Sequence, residues 1–349
     1  MTLDVRLYRD GGQTAVDVAR QVAAFFDGAE RTLELALYDI RLHDEAAEIV
    51  KAALLGAQGR GVAVRLLYNA DHFGPIPVPP PPKTAPELLE ALPIATAAVA
   101  GEPDLMHHKY AIRDREAVWT GSLNWTDDSW TRQENAIVVV ESGPLAHAFG
   151  LNFDELWDRR VVAGSGEVQP RPVDVGGIEV RPWFTPGHGE ALAHRIAKRI
   201  GQAKKRVRIA SPVLTSGPIL GTLAEVCSEG RVDVAGVIDD TQVDGVLDQW
   251  RRNGNASWKV PTLRRLLEAA AWSGKPSTQW APDTVHDFMH AKIAVADDVA
   301  FVGSFNLSRS GEQNAENVLE IADAAIADTL AAFVDEIRAL YPAVTLPPA

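Results

Sequence analysis

The sequence predicts an α/β protein of two similar halves, related by a pseudo-twofold axis, with a site at their seam. Three observations predict it. The run "HHKYAIRDREAVWTGSLN" at 107–124 recurs as "HAKIAVADDVAFVGSFN" at 290–306. The segments ahead of each run repeat in the same order. Through both copies, strand-like alternation is interleaved with helical periodicity, the pattern of α/β domains.

Each half opens on a strand-like stretch, "VRLYRDGG" at 5–12 and "VRPWFTPGHG" at 180–189. An apolar-periodic helix follows, marked by Val18, Val22 and Phe25 in one half and by Leu192, Ile196 and Ile200 in the other. Next come the alternations "TLELALYDI" at 32–40 and "RVRIASPVL" at 206–214. The second helices, "DEAAEIVKAALLGAQGRG" and "GPILGTLAEVCSEG", end on glycines suited to a C-cap. The strands "VAVRLLYN" and "VDVAGVID" lead into stretches that differ between the copies. Strands alternating with helices argue for parallel sheets. The Gly- and Pro-rich "GSGEVQPRPVDVGG" at 164–177 reads as a linker between halves spanning 1–163 and 178–349. Two similar halves pack as a homodimer does, placing equivalent motifs opposite each other.

The differing stretches have separate readings. "GPIPVPPPPKTAPELLEALP" holds four consecutive prolines and is expected to be a polyproline II spacer. The longer insert at 241–289 carries Trp250, Trp258, Trp272, Trp280 and the helix-like "TLRRLLEAAAW". Long inserts beside a site often serve as a lid or substrate wall, although core packing is the default role of any one tryptophan.

Composition bounds the chemistry. A net charge of −13 repels phosphate backbones and anionic lipid alike, so any polyanion has to meet a locally basic cleft. Cys227 is the only cysteine, which excludes an intrachain disulfide and a cysteine-built zinc site. The N-terminal residues lack a signal-peptide pattern, and the apolar run "ALPIATAAVAG" is too short to span a bilayer. The expectation is a cytoplasmic protein without integral membrane association. No P-loop or dinucleotide-type glycine pattern is present.

In the motif, His107 and Lys109 are two residues apart and share one face of an extended chain, as do His290 and Lys292. A short acidic turn and a second strand lead to Gly-Ser-x-Asn, which returns Asn124 or Asn306 toward the His-Lys pair. Ten residues on, each half offers a glutamate followed by Asn, Glu134 and Glu316. Facing each other, the two halves assemble donors for a phosphodiester anion: Lys109, Lys292, Asn124 and Asn306. One lysine at 4 Å from a phosphate oxygen attracts it by about 4 kcal/mol at an effective dielectric near 20, before desolvation costs. One neutral histidine can attack phosphorus while the other protonates the leaving oxygen, after which their roles reverse on water. Glu134 and Glu316 are each expected to bond the far ring nitrogen of a histidine and fix its tautomer. A lysine beside each histidine repels a cation, so neither metal nor cofactor is expected.

These residues resemble the phospholipase D superfamily. Its HxK-x4-D-x6-GSxN signature is matched by His107, Lys109, Asp114, Gly121, Ser122 and Asn124, and by His290, Lys292, Asp297, Gly303, Ser304 and Asn306. The second copy has one residue fewer between Asp297 and Gly303, as a shorter hairpin turn would give, and leaves Asp297 and Asp298 both open for the family's aspartate. The resemblance implies two phospholipase D-like halves, a covalent phosphohistidine intermediate, His107 as nucleophile, and a supporting role for Asp114 and Asp297. The wording of "HHKYAIRDREAVWTGSLNWT…QEN" and "GSFNLS…NAEN" is similar to the small nuclease and Zucchini-type branch. The expected partner is therefore a phosphodiester substrate, leaning to nucleic acid, with phospholipid hydrolysis or headgroup transfer as the alternative. A protein that merely binds a phosphate ligand is the third reading.

Other features carry ordinary expectations. His43, His108 and His286 are read as packed or surface residues. Trp125 and Trp130 are read as core, and the basic run "HRIAKRIGQAKKRVR" at 194–208 as a solvated outer face.

Overall fold

In the computed structural model, which describes residues 1–70, 92–101, 104–252, 254, 256–279 and 284–344, the repeat becomes two mixed β-sheets. The first half runs β1 (Thr2–Tyr8), α1 (Ala15–Asp27), β2 (Thr32–Leu37), β3 (Ile40–Arg41), α2 (Asp44–Gly59), β4 (Ala63–Asn69), β5 (Ala95–Val99), β6 (Lys109–Arg113), β7 (Ala117–Gly121), β8 (Trp125–Thr126), α3 (Asp127–Thr131), β9 (Asn135–Glu141) and α4 (Gly143–Arg159). The second runs β10 (Val173–Val175), β11 (Ile178–Phe184), α5 (Gly189–Gln202), β12 (Arg206–Ala210), α6 (Gly217–Glu229), β13 (Asp233–Asp239), α7 (Asp240–Arg252), α8 (Ala256–Ala269), β14 (Ala271–Lys275), β15 (Ile293–Ala296), β16 (Val299–Gly303), α9 (Arg309–Gln313), β17 (Asn317–Ala322) and α10 (Ala324–Leu340).

The sheets are ordered β1-β9-β7-β6-β2-β4-β5 and β10-β11-β17-β16-β15-β12-β13-β14. They are not the parallel sheets expected. Pairing is parallel among β2, β4 and β5, and among β12, β13 and β14, and antiparallel elsewhere in both. The reason is connection length. A helix links β2 to β4 and β12 to β13, which allows a parallel crossover, whereas the short turns of the His-Lys motif force a hairpin. The insert is a crossover too, with α7 and α8 carrying the chain from β13 to β14. Within the expected linker, Val173–Val175 pairs with Ile178 onward across Gly176 and Gly177, both at positive φ as a two-residue hairpin turn demands. The polyproline stretch and Trp280 lie outside the described residues.

Local signals start the helices where the periodicity places them. Thr14 and Asp17 form a capping box ahead of α1, and Asp323 caps α10. Val18, Val22 and Phe25 are buried under the first sheet, and Leu192, Ile196 and Ile200 under the second. These are the outer cores. A third core is continuous across the two halves: Phe149 and Phe153 of α4, Leu330 and Phe333 of α10, and the inner faces of both sheets. Burying apolar surface between the halves holds the seam closed at roughly 25 cal/mol per Å².

Candidate active site

Each His-Lys motif is a hairpin whose turn and close packing are built by its own residues. Asp114 and Asp297 both adopt positive φ, 56° and 51°. The Asp114 carboxylate accepts the backbone N–H groups of Glu30, Arg31 and Thr32, and that of Asp297 accepts those of Lys204, Lys205 and Arg206. Identical bonding in both copies puts Asp297, not Asp298, in the equivalent place. Three residues link β6 to β7 and two link β15 to β16, which accounts for the shorter spacing of the second copy. Gly121 and Gly303 then lie so close to β9 and β17 that a Cβ would sit 2.1 Å from the Ala136 and Asn317 carbonyl oxygens.

The motifs meet at the seam. Met106 bridges Ala315, and Met289 bridges Glu134, so each motif's entry pairs with the strand approach of the other half. His107 and His290 are nearly buried, as are Lys109 and Lys292. Lys109 Nζ donates to the His107 carbonyl at 2.5 Å, and Lys292 Nζ to that of His290 at 2.6 Å. Burial drives these groups toward their neutral forms; the neighbouring lysines add to it at His290 and Lys292, while Glu316 opposes it at His107 and Lys109. His107 falls to about 4 and Lys109 to about 7, while His290 and Lys292 lie well below their ordinary values. Lys109 and His107 both act on His290, and Lys292 acts on His107, so one buried field covers all four. Glu316 is the carboxylate that opposes these shifts at His107, Lys109 and Lys292, and Asp39 adds to it at Lys109. Among the described residues, Asn124 Oδ1 and Asn306 Oδ1 are buried without a hydrogen-bond partner; both atoms are acceptors, so only the Nδ2 ends of these amides can meet a phosphate oxygen.

The two histidines differ in their supports. His107 Nδ1 lies 2.8 and 2.9 Å from the two carboxylate oxygens of Glu316, reaching across the seam. Burial opposes the charge on Glu316, but His107 and Lys109 outweigh it and hold the carboxyl below its ordinary range. Glu134 does not do the same for His290. Its carboxylate accepts from Lys275 at 3.1 Å and from the Tyr341 hydroxyl, and burial raises its pKa. His290 Nδ1 instead meets Asn135 Oδ1 at 3.0 Å. Asn135 Nδ2 is occupied by Ser129, so Oδ1 is the end that faces the imidazole, and His290 Nδ1 carries the proton.

Backbone register explains the substitution. Gly121 pairs with Ile137 and Gly303 with Val318, which makes Asn135 the counterpart of Glu316 and Ala315 that of Glu134. Ser122 donates to Asn135 Oδ1 at 2.8 Å, and Ser304 bonds Glu316, so each motif serine braces the group behind the opposite histidine. Three residues separate Thr131, the end of α3, from Asn135, whereas two separate Gln313, the end of α9, from its counterpart Glu316. Matching "EN" to "EN" by letters is therefore one step out of register.

Sequence reasoning also missed a positioning pair. Asn69, ending β4, accepts the N–H of Met106 at 2.8 Å, and Asp239, ending β13, accepts that of Met289 at 3.1 Å. Each fixes the residue just ahead of a site histidine. The signal was present in the polar ends of "VAVRLLYN" and "VDVAGVID". Tyr38 packs edge-on against His107 with centroids 4.5 Å apart, and Lys109 Nζ sits 4.7 Å over its ring. On the other side, His286 stacks on Phe288, which leans on His290. His108 is packed, bonded across the seam to Asn317, and Trp125 and Trp130 are core. In the basic run, Arg195 and Arg199 hold Glu320, and Arg208 holds Asp233 and Asp335.

Comparison with known proteins agrees with this architecture. The family described as "Cardiolipin synthase, PLD-like domain" matches residues 22–157 and again 196–338. The chain is 30% identical over 135 residues to a mitochondrial cardiolipin hydrolase of Xenopus laevis, covering 38% of this chain and 57% of that protein. It is 28% identical over 134 residues to a phospholipase D of Rickettsia felis, covering 38% and 60% respectively. The chain thus spans little more than half the length of these curated relatives. In structure it resembles the phosphatidylserine synthase of Haemophilus influenzae, with a TM-score of 0.68 at 14% identity over 96% of this chain and 86% of that one. A duplicated match covering most of the chain, on a fold with one His-Lys motif per half, identifies it as a member of the phospholipase D-like family.

Proposed function

We propose that this chain is a phosphodiesterase that hydrolyses phospholipids through a phosphohistidine on His107. The observation that carries the reading is the pair of buried His-Lys sets, one from each half, in one field. The unequal supports assign the roles. His107 Nδ1–H faces Glu316, so positive charge that develops on the ring as Nε2 attacks phosphorus is balanced. The negative charge of the bound phosphodiester favours a second proton on His290, at Nε2, and Nε2–H gives that proton to the departing alcohol oxygen as the phosphorus–oxygen bond breaks. Neutral His290 then takes a proton from water, whose oxygen attacks phosphorus. The phosphorus–nitrogen bond breaks, its electron pair returns to His107 Nε2, and a phosphate monoester leaves. Lys109, Lys292, Asn124 and Asn306 hold the non-bridging oxygens, where charge is greatest in the transition state. Asp114, Asp297, Ser122 and Ser304 support the frame.

Phospholipid replaces the nucleic acid toward which the motif wording leans, because relatives named cardiolipin hydrolase and phospholipase D match this sequence. The test is a substrate panel in chelator: vesicles of cardiolipin and of phosphatidylglycerol beside plasmid, single-stranded DNA and RNA. Release of phosphatidic acid, lost in His107→Ala and His290→Ala, is the expected result. Cleavage of nucleic acid with intact lipid would overturn the substrate and keep the chemistry.

A further inference from the structure

The insert departs from the rest of the molecule in charge. Residues 249–267 hold Arg251, Arg252, Lys259, Arg264 and Arg265 with no acidic residue, inside a chain of net charge −13. Asp248 pairs with Arg251, which leaves the stretch strongly basic. Arg251, Arg252 and Arg265 are exposed. On α8, Trp258, Pro261 and Arg265 recur at spacings of three and four and all face solvent, while Leu263 and Leu266 face inward. Trp258 is 46% exposed, the one exposed tryptophan among the described residues. Val285, 48% exposed, lies on the chain leading to His290.

This face adjoins the site. Lys259 Nζ donates to the Thr215 carbonyl at 3.3 Å, and Thr215 N–H donates to the carbonyl of Leu307, the residue after Asn306. The Trp258 ring lies against Gly217. A cation-flanked tryptophan suits the headgroup layer of a bilayer, where its ring is half immersed. Salt screens the distant carboxylates beyond about 8 Å, so the local charge decides what approaches.

We infer that the α7–α8 insert is a docking surface for membranes containing anionic phospholipid, with Trp258 entering the headgroup layer beside the site. The inference rests on the phospholipid reading of that site, and its test is separate from turnover. Sedimentation is measured with vesicles of phosphatidylcholine alone and of phosphatidylcholine with phosphatidylglycerol in equal parts. Wild type should bind the anionic vesicles and ignore the neutral ones. Each basic residue near such a surface contributes about 1 kcal/mol, so the triple variant Arg251→Glu, Arg252→Glu, Arg265→Glu should bind about 100-fold more weakly or worse. Trp258→Ala should weaken binding, and both variants should turn over a soluble chromogenic diester as wild type does. Equal binding by wild type and the triple variant would overturn the inference. So would loss of single-stranded DNA binding in the variants with vesicle binding unchanged. Vesicle binding without lipid hydrolysis would instead place the failure in the function proposed for the site.

Discussion

At the residue scale, the site's two imidazoles are not interchangeable, because one leans on a carboxylate and the other on an amide. Asn135→Asp places a negative charge against His290 Nδ1, and an adjacent opposite charge raises a histidine pKa by about 1–3 units. Since His290 is held well below its ordinary value by burial and then by Lys292, the substitution should extend activity upward in pH. The pH above which kcat/KM falls should rise by about 1–3 units, at some cost in stability from the lost bonds to Ser129. An unmoved profile would remove Asn135 from the proposed positioning role. The places of His107, Lys109, Asn124 and their counterparts were legible because residue types recur at fixed spacing. Asn135 was not, because a strand's register is set by its hydrogen-bond ladder and a single extra residue upstream moves every side chain.

At the element scale, the motif hairpins are tied down by Asp114 and Asp297, each accepting three backbone N–H groups. Those bonds hold both carboxyls below their ordinary range against the opposing effect of partial burial. A depressed carboxylate stabilises the fold above its unfolded-state pKa of about 4 and loses that contribution as pH falls through the folded value. Asp297→Asn should therefore lower the melting temperature at pH 7 and converge with wild type in acid. A melting difference independent of pH would contradict the role. The helix and strand order could be read from periodicity and capping residues. The mixed sheets could not be read so simply, since alternation of strand and helix signals does not say which connections are crossovers and which are hairpins.

At the scale of the whole molecule, the seam is where the two halves are tied together. Besides the shared core, Lys275 of the second half is buried against Asp10 and Glu134 of the first, at 3.0 and 3.1 Å. Tyr341 adds its hydroxyl to Glu134. Removing one partner of a buried ion pair leaves the other charge uncompensated and costs about 3–5 kcal/mol. Lys275→Met should destabilise the protein by that order in denaturant unfolding, and a change within about 0.5 kcal/mol, ordinary for surface sites, would show that the clamp is idle. The repeat made the twofold arrangement legible, but this clamp breaks the symmetry and has no repeated letters to betray it. That two halves form one reaction centre is tested most directly with a nitrophenyl phosphodiester, whose leaving group needs no acid. His290→Ala should release one nitrophenolate per chain and stall with phosphate on His107, while His107→Ala should release none. A burst from His107→Ala with phosphate on His290, or sustained turnover by either variant, would contradict the account.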